Sequence, residues 1–273
     1  MDILCWILLF FSDLCPLTSD LCIAGEARFV VKGVVVENSE NAYPPVSNLI
    51  LSGGQSHSYE DTSKILSDVL QEINVTSRIE ENCDILESSE LMDFDMLTLN
   101  CMLWSMEQKE VENWEKGSSL YSMTPKAQEK VSGFFSAGKG LHALHAAPIC
   151  FDTWNGFPNI LGAVWKWNRS AHAPYQAHSI RISRGSHPIV EGLEDFTIMD
   201  ELYHSLELTD DVQPLIVGDW DNKTHPLMWV RKHGTARVCY NALGHGEETF
   251  NHPAFQELLR RGTLWVNGLS FNE

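Results

Sequence analysis

Three histidines, three acidic residues and a tyrosine are the side chains whose types and spacing could do chemistry. His57, His145 and His245 each follow a short apolar run, at residues 48–52, 141–144 and 238–243. If those runs are parallel strands, the residues just past their ends lie along one rim of the sheet, where ligands bind in open α/β folds. Histidines far apart in the chain could then meet. Neutral imidazole is a common metal ligand, and its pKa near 6.5 suits proton transfer at neutral pH. A carboxylate would complete either arrangement. Glu201 is the first choice, with Asp200 and Glu247 beside it in type, and Tyr203 could donate a hydrogen bond to a substrate.

Acid–base work and metal binding both stay open at this point. A divalent metal would draw on His57, His145 and His245, but the chain has no H-E-x-x-H motif. Gly53-Gly54, after the first apolar run, would let backbone approach a ligand and offer N–H groups to an anion. It matches neither G-x-G-x-x-G nor a P-loop. Trp154, Trp165, Trp167 and Trp220 supply flat faces suited to sugar rings or simply to packing. Arg169 and His172 lie in the same stretch, so Trp167, His172 and Glu247 join Gly53, Gly54 and His57 as candidate substrate contacts.

An absence also informs. A strand leading through a sharp turn into a helix is where nucleophile elbows sit. Here that place reads Leu144-His145-Ala146-Ala147, without Ser or Cys, and Cys150 comes too late. A Ser or Cys triad lacks its central atom.

The elements that must position these groups alternate. Residues 48–52, 75–79 and 94–99 read as strands, and residues 61–73 as a helix with apolar positions at helical spacing. Thr124-Pro125 opens a second helix through 137, with Thr as N-cap and Pro at the first helical position. A strand at 141–145 follows. That order implies right-handed crossovers and a mostly parallel sheet with helices on both faces, the α/β class. Further strands are expected at 179–182, 204–208, 214–217, 227–230 and 237–241, some as an antiparallel extension, and a helix at 253–266 closes the chain.

Of the 273 residues, 44% are apolar, enough for one large core. Residues 46–270 form the expected domain, and 1–45 a leader or loosely attached extension. The net charge of −18 repels phosphate backbones and anionic lipid, so neither nucleic acid nor a membrane surface is an expected partner. Seven scattered cysteines without a C-x-x-C pair read as small hydrophobes. Residues 3–11 are apolar but too short to span a bilayer. They resemble a signal-peptide h-region without its basic n-region, so the cytoplasm is the first reading, and export or a periplasmic location is the second. Oligomeric state is not readable.

Taken in order, several phrases resemble the trehalose-utilisation (ThuA-like) family. They are Leu51-Ser52-Gly53-Gly54 with His57, Gly140-Leu141-His142-Ala143-Leu144-His145-Ala146-Ala147, His187-Pro188-Ile189, Gly192-Leu193, Asp200-Glu201-Leu202-Tyr203, Gly244-His245, Asn251-His252-Pro253 and Arg261-Gly262-Thr263-Leu264-Trp265. Coverage runs from about Val46 to Gly268. The resemblance implies a class I glutamine-amidotransferase-like, flavodoxin-like fold without the glutaminase cysteine. It implies a place in carbohydrate metabolism, with a small sugar as partner: a glucoside, a trehalose-type disaccharide or its keto derivative. His57, His145, Glu201, Tyr203 and His245 match the family's recurrent polar positions. Two departures stand out: the leader, and Gly246 after His245 where an acidic residue is common, with Glu247 next. A sugar-processing hydrolase or isomerase would use His145, His245, Glu201 and Tyr203 as its catalytic groups. The alternative is a carbohydrate-binding or scaffold domain without turnover.

Overall fold

The computed structural model describes residues 43–107, 120–183, 185 and 187–271, together with the backbone of a short antiparallel ladder, Val30–Val31 with Val34–Val35. The apolar segment at 3–11 lies outside the described residues. The chain divides into two compact units, Met1–Glu40 and Asn41–Glu273, and the second carries every candidate functional residue.

Its elements are β1 (Val46–Gly54), α1 (Tyr59–Gln71), β2 (Val75–Glu80), β3 (Met96–Met102), α2 (Pro125–Ser136), β4 (Gly140–Leu144), β5 (Gln176–Ile182), β6 (Phe196–Asp200), β7 (Gln213–Trp220), β8 (Lys223–His233), β9 (Ala236–Asn241) and α3 (Pro253–Val266). They build one nine-stranded sheet in the order β6-β5-β7-β8-β9-β4-β3-β1-β2. Neighbours from β9 to β2 are parallel, and those from β6 to β9 antiparallel. Two antiparallel steps restore direction, so β7 and β6 run with the parallel set and only β8 and β5 run against it. The sheet is therefore mostly parallel in sense, with a meander grafted on one side.

Burial follows from this arrangement. Every residue of β3 and β4 is buried, because helices cover both faces of the sheet there. α1 packs against α3 on one face. α2 packs on the other with the 3-10 turns Cys83–Glu87 and Ser89–Asp93. α2 begins as the sequence predicts: Thr124 Oγ1 accepts from the Ala127 N–H at 3.1 Å, and Pro125 takes the first turn. α3 uses an N-cap outside the usual Ser/Thr/Asp/Asn set, with His252 Nδ1 accepting from the Ala254 N–H. Among the described cysteines, Cys101, Cys150 and Cys239 are buried as read, and Cys83 is half-buried.

Three expectations are corrected. Gly53-Gly54 does not end the first strand; β1 runs through both, pairing with Cys101 and Met102 of β3, and the chain turns only at Ser56, with φ 73°. The single strand expected at 204–208 is two short ones, Tyr203–His204 and Glu207–Leu208, broken where Ser205 takes φ 58°. The edge strand β6 has no counterpart among the predicted elements. Its alternation is too short to stand out.

Candidate active site

His57, His145 and His245 leave β1, β4 and β9, three strands of the parallel set, and their side chains meet. One ligating atom from each, with one Glu201 oxygen, all lie within 4.8 Å of one another. His145 Nε2 stands 3.1 Å from His57 Nε2 and 3.7 Å from Glu201 Oε2. His245 Nδ1 is 3.3 Å from the same Glu201 oxygen, and His172 Nδ1 is 3.2 Å from the other. Side-chain exposure rises outward from 1% at His145 through 14% at Glu201 and 29% at His245 to 45% at His172, so the group faces solvent on the His172 side.

His145 occupies the elbow. Its φ is 40°, in the left-handed region that costs a non-glycine residue about 1–2 kcal/mol. Hydrogen bonds hold the turn: the His145 N–H donates to the Asn241 carbonyl, and the Tyr240 hydroxyl donates to the His145 carbonyl. Its ring is also fixed, because Nδ1 lies 2.7 Å from the Ala242 carbonyl, which only accepts. In the neutral ring the proton is therefore on Nδ1, and Nε2 turns a lone pair into the cluster.

His57 is set by a buried polar network that sequence alone does not reveal. Asn100 on β3 donates to Thr62 and Ser63 of α1; Ser63 donates to Ser52, and Ser52 to the Tyr59 carbonyl. This fixes the start of α1, and the Tyr59 hydroxyl then lies 3.0 Å from His57 Nδ1. The Gln55 carbonyl is 3.2 Å from the same nitrogen.

Glu201 reaches the cluster from β6, five strand steps from β4. In a flat sheet that is about 24 Å. The meander must therefore curl. Register shifts between β7 and β8 and a ladder of only three residue pairs between β7 and β5 give it the means. Asp200 locks the result: it is buried, and its carboxylate accepts from the N–H groups of Glu201 and Gly244 and from the Thr249 hydroxyl. One side chain thus clamps the Glu201 strand end to the His245 loop.

Electrostatics follows position. Burial, then the neighbouring His145 and His245 rings, push His57 down to about 3. Burial alone would raise Glu201, but His145 and His245 outweigh it and hold the carboxyl well below the usual range. The Glu201 contact raises His245 above its ordinary value. Tyr203 is pushed up by burial and keeps its proton; its ring centre lies 4.4 Å from that of His145.

The other candidates sort by place. Trp167 stacks on Trp104 at 4.6 Å and meets Trp165 edge-on, while Trp165 packs against Tyr203; an aromatic wall thus runs from the site. Gly54 packs against strand β3: a Cβ there would stand 2.5 Å from the Met102 carbonyl oxygen, a sufficient reason for glycine without any ligand. Gly53 has open space at its Cβ position. Glu247 starts a short helix, Glu247–Phe250, and is not among the four converging groups. Tyr175, not singled out from sequence, stands 5.0 Å from the His245 ring. A cavity of about 540 Å³ lined by Arg169, Tyr203, His204, Lys223 and His225 adjoins the cluster through Tyr203. A larger one of about 710 Å³, with Arg237, Arg261 and Trp265, lies at the opposite ends of the strands, away from this chemistry.

The family model described as "Trehalose utilisation" (ThuA) matches residues 48–266. Curated protein sequences give no significant match. A ThuA-like protein from Parabacteroides merdae is similar in structure, with a TM-score of 0.67 and 18% identity over 84% of this chain and 93% of that one. One from Bacteroides uniformis has a TM-score of 0.63 and 17% identity over 84% and 94%. A β-galactosidase from Rahnella sp. R3 contains a similar fold, with a TM-score of 0.55 and 16% identity over 83% of this chain and 32% of that one.

Proposed function

Because the chain belongs to the ThuA, trehalose-utilisation, family, we propose that it processes a small carbohydrate at the His57–His145–Glu201–His245 cluster. The substrate class is a glucoside, a trehalose-type disaccharide or a keto derivative of one. The observation that carries this reading is the convergence of four polar side chains at strand ends beside an aromatic wall. His145 presents a lone pair from a fixed ring and is placed to take a proton. Glu201 is held ionised, which suits a base or a stabiliser of developing positive charge. Tyr203 keeps its proton and can donate to a sugar oxygen. His172 lies on the exposed side of the cluster, and Trp167 stacks one face on Trp104 at the end of the aromatic wall, where the other face of an indole can stack on a pyranose ring. The reaction class is hydrolysis, isomerisation or proton abstraction beside a carbonyl.

The test is turnover of a panel of glucosides, disaccharides and their keto derivatives. His145→Ala is expected to lower kcat about 10²–10⁴-fold while sugar affinity changes little. Sugar binding by the unaltered chain with no turnover of any panel member would move the protein to the non-catalytic binding class. Neither binding nor turnover would remove the carbohydrate reading.

A further inference from the structure

The geometry points to a divalent transition-metal site of the zinc class, held by His57 Nε2, His145 Nε2, a ring nitrogen of His245 and a Glu201 oxygen. It rests on the pocket proposed above and names the cofactor of that pocket.

The donor set is the first argument. Three imidazoles and one carboxylate suit zinc and its first-row neighbours, whereas magnesium and calcium prefer oxygen cages. Spacing is the second. Four ligands at zinc bond lengths sit about 3.3–3.5 Å apart around a tetrahedron. The contacts of 3.1, 3.3 and 3.7 Å bracket that spacing.

Unsatisfied lone pairs are the third argument. In the neutral ring His145 Nε2 carries a lone pair, because the Ala242 carbonyl claims Nδ1–H. It faces His57 Nε2 at 3.1 Å. If His57 donates from Nδ1 to the Gln55 carbonyl, two lone pairs confront each other, and a cation between them removes the repulsion. A single proton on His57 Nε2 would also satisfy that pair. It would leave His245 Nδ1 as it stands: buried, 3.3 Å from a Glu201 oxygen, and without a well-formed hydrogen bond. A cation satisfies all three nitrogens and the carboxylate together.

Surroundings are the fourth. The Ala242 carbonyl on His145 and the Gln55 and Tyr59 oxygens on His57 are the outer contacts that orient ligating imidazoles, and His172 holds the second oxygen of Glu201. With four protein ligands and solvent toward His172, an added sugar oxygen would be polarised by the ion.

The test uses the full-length chain without a metal-binding tag, stripped with chelator. Zinc uptake is read by elemental analysis after dialysis, and cobalt(II) uptake by its visible absorption bands. Saturable binding of about one ion per chain is expected. Glu201→Gln and His245→Ala should lose it, and His172→Ala should weaken it about tenfold or more. The wild-type titration decides if either ligand variant fails to fold. No saturable binding by the folded wild-type chain, or unchanged binding in folded Glu201→Gln and His245→Ala, overturns the site. Sugar turnover by the stripped chain would overturn the metal and leave the sugar reading standing. Stoichiometric metal with neither sugar binding nor turnover would do the reverse.

Discussion

At the scale of single residues, Asp200 matters as much as the groups it positions. It is buried, and three donors converge on it: the Glu201 and Gly244 N–H groups and the Thr249 hydroxyl. Asp200→Ala strands these donors away from water and should destabilise the fold by about 3 kcal/mol, read from denaturant midpoints. It should also reduce any activity, because Glu201 and the His245 loop lose their common anchor. Wild-type stability in that variant would mean that Asp200 is not the clamp described. This role was not legible. In the sequence Asp200 and Glu201 are adjacent acids of equal promise, and only burial separates a structural carboxylate from one that faces the cluster. The three histidines were legible, because a residue just past a parallel strand has a determined rim. Tyr59, Tyr240 and the Ala242 carbonyl were not, because an aromatic or a backbone oxygen in an apolar stretch has no signature of its own.

Elements carry two further expectations. Gly54 and Gly53 both have positive φ, at 122° and 113°, but only Gly54 has backbone against its Cβ position. Gly53→Ala should cost about 1–2 kcal/mol from backbone strain alone, and Gly54→Ala clearly more, because β3 must move. Equal costs would contradict the close approach of the two strands. The second expectation concerns the contact between β4 and α3. His142 is fully buried, its Nδ1 is 3.0 Å from Thr263 Oγ1, and its Nε2 has no partner. Burial depresses its pKa to about 4. The unfolded chain therefore binds a proton that the folded chain refuses between pH 6.5 and about 4. Stability is full above that window and falls as pH drops through it, by about 3 kcal/mol from this residue. His142→Asn keeps an amide near Thr263 and titrates nothing, so it should flatten this slope in part, His57 supplying another share. An unchanged slope would exclude His142 as a source. Element order was largely readable because helical and strand periods differ. The curl of the meander was not. It depends on register shifts that no local pattern announces, so Glu201 could be nominated but not placed.

For the molecule as a whole, charge and topology set the terms. With a net charge of −18, the chain is not expected to bind duplex DNA at physiological salt; fluorescence anisotropy with a labelled duplex checks this. Salt-sensitive micromolar binding would show a basic patch that the total conceals. Among the described residues no helix is long and apolar enough to cross a membrane. Topology has a consequence in time. His57 belongs to the first βα unit, Glu201 to the outer edge of the meander, and His245 to the loop before the closing helix. No early folding fragment contains the complete set, so whatever the pocket holds cannot template the nascent chain. During refolding, recovery of ligand capture should lag behind recovery of helical signal, and a destabilised meander should yield protein that is folded in its parallel half yet inert.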